Sequence, residues 1–101
     1  MYRKAYIIVI DKKGLYDKAE YKPFHMKLTK AKGILNWWHY LETTYIVIVK
    51  STISSSGISK FVTNHLPDKQ FFVCELNLED YGGLLPEKAW DWIERQINLQ
   101  E

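Results

Sequence analysis

The chain has one cysteine, three prolines and five glycines, and its longest apolar runs are only strand-sized. Each shortage excludes something. A lone thiol, Cys74, cannot close an internal disulfide, which removes the stapled secreted scaffolds and suits a reducing compartment. A membrane-spanning helix needs a run of about eighteen apolar residues, and none exists. The N-terminus also lacks the apolar core of a signal peptide. The expectation is a soluble, cytoplasmic protein with no membrane partner. No Cys/His spacing suggests zinc, no glycine-rich loop follows a strand to cradle phosphate, and no serine-centred nucleophile motif appears. Internal repeats, low-complexity segments and interdomain linkers are missing too.

What remains is compact and aromatic. Of 101 residues, 47% are hydrophobic and 15% aromatic, with four tryptophans. That length makes one domain, able to bury about 60–65% of its unfolded surface. A net charge of +2 hides an asymmetry. Up to Lys32 there are nine basic and three acidic residues; the remainder has five basic and nine acidic ones. A positive half on a small domain attracts phosphate. The plainer reading is a solvated helix face followed by a lysine-rich loop.

The organising stretch is Trp37 to Lys50. It reads as two strands folded back on each other, rich in aromatic and β-branched residues and broken at Glu42-Thr43. Neither break residue is Gly or Asn, so a type I-based loop of about four residues is expected. Ahead of it, Ala5 to Ile10 is a strand with no apolar/polar alternation, so both its faces are buried. Residues 12 to 22 read as a polar loop. Pro23 suits a first helical turn, and Phe24, Leu28, Ala31 and Leu35 follow at helical spacing, with Gly33 or Asn36 as the stop.

After the hairpin, Ser51 to Gly57 is a connector with several candidate N-caps. Ile58, Phe61, Val62 and Leu66 form a short helical stripe. Gln70 to Leu78 reads as a half-exposed strand in which Cys74 is a small core thiol. Pro86-Glu87 opens a last helix with Trp90, Ile93 and Ile97 along its apolar edge, widened by Ala89 and Trp92.

The order is β-α-β-β-α-β with an added C-terminal helix. That is the α+β, ferredoxin-like arrangement: two helices on one face of an antiparallel sheet whose first and third strands are central. A bare second face holding Tyr6, Ile8 and Ile10 would expose a large apolar patch. Its cover is expected from the last helix together with a second copy of the chain, making a homodimer.

The Trp-Trp-His-Tyr-Leu-Glu-Thr-Thr-Tyr-Ile-Val hairpin, the Phe-Phe-Val-Cys-Glu-Leu strand and the Leu-Pro-Glu-Lys-Ala-Trp-Asp-Trp-Ile helix carry a resemblance. Together they resemble small bacterial and phage proteins described as SinR-like. These are similar in turn to the CRISPR-associated ferredoxin-fold endonucleases and the VapD endoribonucleases. The resemblance covers Tyr6 to Ile97 and implies a defence or counter-defence setting. In the nuclease relatives an aspartate closes the first strand and two copies meet across a dimer; Asp11 matches that position.

The resemblance therefore implies Asp11 as catalytic and metal-binding carboxylate. One aspartate per subunit acts only if dimerisation supplies its partner, and two carboxylates then hold Mg²⁺ with waters left for hydrolysis. Read from the residues alone, an Asp after a strand is a turn residue accepting local backbone hydrogen bonds. His39 is either a general base near neutral pH or a histidine hydrogen-bonded at a sheet surface. His25 and His65 sit on expected helices and should face solvent.

Rings interleaved with lysines form the other constellation. Bases stack on aromatic rings while lysines meet phosphate; Trp37, Trp38, Tyr40, Tyr45, Tyr81, Trp90 and Trp92 supply rings, and Lys12, Lys13 and Lys50 supply charge. The candidate binding residues are Lys12, Lys13, His39, Trp38, Tyr40 and Lys50. Two functions stay open: a metal-dependent endonuclease acting on RNA or DNA, and a non-enzymatic binder of a small nucleotide, a nucleic acid or a protein.

Overall fold

The computed structural model describes residues 3–11 and 18–100. Its elements are β1 (Arg3–Ile10), α1 (Lys18–Thr29), β2 (Ile34–Leu41), β3 (Thr44–Lys50), α2 (Ser55–His65), β4 (Phe71–Leu76) and α3 (Glu87–Gln100). The strands make one antiparallel sheet in the order β2-β3-β1-β4. The two runs lacking alternation, β1 and β3, are its centre. A central strand covered on both sides has no polar face to show.

Register decides which residues meet which helix. Tyr6 lies opposite Val47 and Ile8 opposite Tyr45. Side chains alternate along a strand, so Tyr6, Ile8 and Ile10 join Tyr45, Val47 and Val49 on one face. Phe24 and Leu28 of α1 and Ile58, Val62 and Leu66 of α2 complete that core. The intervening residues Ala5, Ile46 and Ile48 face the other way. There they meet Trp38, Leu78 and the α3 residues Ala89, Trp92 and Ile93. The result is helix pair, sheet, single helix.

This arrangement corrects the expected bare face. Tyr6, Ile8 and Ile10 lie under α1 and α2, not on an open surface, and α3 covers the opposite face without needing a second copy. Its cover stops short at one end. The register partners Val9 and Phe72 remain 38% and 63% exposed.

Five local expectations also change. Helix α1 ends at Thr29 and β2 begins at Ile34, so Leu35 and Asn36 belong to the strand and not to the helix or its stop. Helix α1 starts at Lys18, five residues before Pro23, so residues 18–22 are helical rather than loop, and the proline is internal. Its missing N–H forfeits one hydrogen bond of the helix ladder. The hairpin connection is only Glu42-Thr43, since Leu41 pairs with Thr44. No described non-glycine residue has positive φ. A register shift between Trp38 and Leu41 supplies the local twist that a primed turn would otherwise give. The fourth strand is shorter than Gln70–Leu78, because Leu78 turns into the α3 core. Cys74 is exposed, not a core thiol, because β4 is an edge strand and α3 does not reach over it.

Two turns show sequence acting directly on geometry. Gly33 has φ +101°, a conformation that a Cβ disfavours, and it lies against Ile53. Ser54 caps α2, its hydroxyl accepting from the Gly57 N–H at 3.2 Å.

Candidate functional site

Alternation along β2 splits the aromatic run in two. Trp38 and Tyr40 point to the α3 side, their rings 5.3 Å apart. Trp37 and His39 point to the α1 side, where His25 of α1 and Tyr45 of β3 meet them. Four rings converge there. The His39 imidazole lies flat on the Tyr45 phenol, with centroids 4.0 Å apart and planes within 2°. His25 is 5.6 Å from His39 and meets Trp37 edge-on at 5.2 Å.

The hydrogen bonds fix part of the proton inventory. Tyr45 is fully buried, so its hydroxyl needs a partner. His25 Nδ1 supplies one at 2.7 Å. His39 Nδ1 lies 3.0 Å from the Thr44 carbonyl oxygen. A carbonyl only accepts, so His39 Nδ1 carries the proton and donates it to Thr44. Both imidazoles are half-buried, and Trp37, 39% exposed, forms the wet edge of the group. His25 is therefore not the solvent-facing helix residue expected; it hangs from the edge of the α1 apolar stripe onto the sheet.

Burial lowers the pKa of His25 below its ordinary 6.5, and the neighbouring charge of His39 lowers it further. The folded state resists a proton that the unfolded chain accepts at 6.5. The stability due to neutral His25 is thus complete above 6.5 and is lost as pH falls from there through the lowered folded value. Thermal melts from neutral to mildly acid pH should show a steeper fall for the native chain than for His25→Gln. Parallel curves would mean that His25 carries no such linkage.

The other candidate residues scatter. Trp38 is 3% exposed and donates its indole N–H to the Ala89 carbonyl at 3.3 Å, so its ring is spent in the α3 core. Tyr40 borders an open polar hollow with Lys88, Asp91, Glu94 and Arg95. Lys50 is exposed at the far end of β3, its backbone N–H bonded to the Gly33 carbonyl. Lys12 and Lys13 lie outside the described residues. Asp11 ends β1, exposed, and its N–H donates to the Gln70 carbonyl at 2.8 Å.

No family model, curated protein or solved structure matches this chain. The site must be argued from its own atoms. Among the described residues, no three His, Cys, Asp or Glu side chains are placed to share a metal ion. One exposed carboxylate does not make a Mg²⁺ site within a single chain. The imidazole pair is the arrangement with chemistry.

Sequence reasoning named His39, counted Trp37 and Tyr45 only among seven candidate rings, and placed His25 in solvent. A signal existed for each. Trp37 shares the face of His39 at a period of two. Tyr45 is the aromatic residue just across the short turn, and His25 flanks the Phe24/Leu28 stripe on α1.

Proposed function

We propose that this chain is a ferredoxin-like relative of the CRISPR-associated and VapD endonucleases that binds single-stranded RNA and cleaves it through His25 and His39. The fold assignment is supported by the strand order, which read from the other edge is β4-β1-β3-β2, with β1 and β3 central. The observation that carries the function is the pair of imidazoles 5.6 Å apart beside the half-exposed Trp37 ring.

RNA supplies its own nucleophile, the 2′-hydroxyl. A base removes that proton, and the oxygen attacks the adjacent phosphorus. The 5′-oxygen then leaves, taking a proton from an acid. The products are a 2′,3′-cyclic phosphate and a 5′-hydroxyl. Two imidazoles this far apart can each reach a different oxygen of one phosphodiester at hydrogen-bond range, about 2.6–3.2 Å. His25 has the lowered pKa and is the base, in the tautomer whose Nδ1–H donates to Tyr45 and whose Nε2 holds the lone pair. His39 is the acid through Nε2–H, its orientation set by Thr44. Trp37 offers a face on which a base adjoining the cut can stack, a contact worth about 1–3 kcal/mol.

The test incubates end-labelled RNA and the equivalent DNA with the protein, with Mg²⁺ and with chelator. Cutting of RNA in chelator, with DNA left intact, is the expected result. Cutting that needs Mg²⁺ and disappears in Asp11→Asn would move the chemistry to Asp11 and a second copy of the chain. Binding of neither nucleic acid at low salt would remove both mechanisms.

A further inference from the structure

Leu84 is 98% exposed, the most exposed apolar side chain described. Its neighbours are anchored. Gly83 lies against the Trp90 ring, close enough that an added Cβ would meet it at 3.5 Å. Tyr81 lies parallel to the same ring at 5.8 Å. Leu85 packs on the α3 core. An apolar side chain held out on a fixed pedestal loses little freedom when something covers it. The stretch of chain that carries it is acidic: from Glu75 to Glu94 there are six carboxylates and one base, Lys88.

The opposite layer of the fold holds the complement. Where α1 ends and α2 begins, a groove of about 130 Å³ is lined by Leu28, Gly33, Ile34, Ile53, Ile58 and Phe61, with Lys32 at its rim. That volume approaches the ~150 Å³ cavity known to take a benzene ring, so it suits one leucine side chain. The stretch of chain that builds it is basic. From Lys22 to Leu66 there are six lysines and only one carboxylate, Glu42. Lys50 is brought next to Gly33 by its own backbone hydrogen bond.

We infer that the occupant of this groove is Leu84 of a second copy. The acidic 77–87 segment of one molecule docks on the basic α1–α2 rim of the next, and the leucine fills the groove. Knob and groove lie on opposite layers of the same chain, so the contact is head-to-tail. It leaves a free knob at one end and a free groove at the other, and it propagates unless the rotation closes a ring.

Two variants test it without threatening the fold. Leu84→Asp removes the knob at a fully solvated position. Gly57→Glu blocks the groove with a charge of the wrong sign; a Cβ at position 57 makes only an ordinary contact with the Ser54 hydroxyl at 3.8 Å. An acidic residue in the first turn also favours the helix through its dipole.

Sedimentation between ~20 µM and ~1 mM should show the native chain growing in mean mass at least ~1.5-fold, the behaviour of a contact with sub-millimolar Kd. Raised salt should suppress that growth. Each variant alone should stay monomeric. An equimolar mixture of the two should form dimers and stop there, because one molecule keeps the groove and the other keeps the knob. A native chain monomeric throughout, a variant that still associates, or a mixture that stays monomeric would each overturn the assignment.

Discussion

Trp92→Ala is expected to lower unfolding stability by about 3–5 kcal/mol, the usual cost of truncating a large aromatic residue in a core. A domain of this size has about 5–15 kcal/mol in all, so the variant should lie near the edge of folding at ambient temperature. The reason is the stripe Ala89, Trp92, Ile93 and Gln96, spaced i, i+3, i+4 and i+7, which is buried along α3. Trp92 and Ile93 are the large apolar residues that α3 adds to the cluster on the second face of the sheet. Without them Ala5, Ile46 and Ile48 lose their cover. Trp90, two residues away, points to the Tyr81 and Gly83 loop and is only half-buried. Trp90→Ala should therefore cost about 1–2 kcal/mol, within the range of ordinary substitutions. Urea midpoints at unchanged slope measure both. A Trp90 loss equal to or above that of Trp92 would mean that α3 sits in another rotation.

The same helix shows where sequence reasoning stops. Its existence and its start after Pro86 were legible from the proline and carboxylate. Its rotation was not. Trp90 and Trp92 lie on nearly opposite sides of a helix, and hydrophobicity alone cannot choose between two tryptophans. Gln96 obscured the answer, because a polar residue interrupts the stripe to which it belongs. It is 3% exposed, and its Oε1 accepts no hydrogen bond among the described residues. The central pair of strands was legible for the opposite reason. Runs such as Tyr6 to Ile10 and Tyr45 to Val49 have no polar residue on either face, and only a strand covered twice tolerates that.

Around the candidate site, legibility failed at the level of faces. Trp37-Trp38-His39-Tyr40 reads as one aromatic patch in sequence, yet a strand sends alternate members to opposite layers. Grouping Trp38, His39 and Tyr40 as co-ligands ignored that period. Trp38 and Tyr40 belong with α3, while His39 belongs with Trp37, Tyr45 and His25. The histidine from α1 was further hidden by distance along the chain, since only the packing of α1 across β2 and β3 brings residue 25 to residue 39.

His39→Gln should reduce RNA cleavage by ~10²- to 10⁴-fold, the usual contribution of a positioned acid or base. His39 is the more decisive of the two imidazoles to remove. Truncating His25 also strips the buried Tyr45 hydroxyl of its 2.7 Å partner, so a loss of activity there is mixed with a loss of stability. His39 instead rests at the sheet surface against the Tyr45 ring, and Gln retains a polar group able to reach the Thr44 carbonyl. Stability should change by less than about 1 kcal/mol, and RNA affinity should hold, because stacking on Trp37 is untouched. The loss should therefore fall on kcat with KM nearly unchanged, the pattern of an interaction made only in the transition state. The double variant should be little worse than His39→Gln alone, since an acid and a base acting on one phosphate work as a unit. In the native chain the rate should fall as pH drops through the lowered His25 value, because the base must be neutral. That acid limb belongs to His25, so it should persist in whatever activity His39→Gln retains. Full activity in that variant would return His39 to the part of a ring packed on Tyr45 and nothing more.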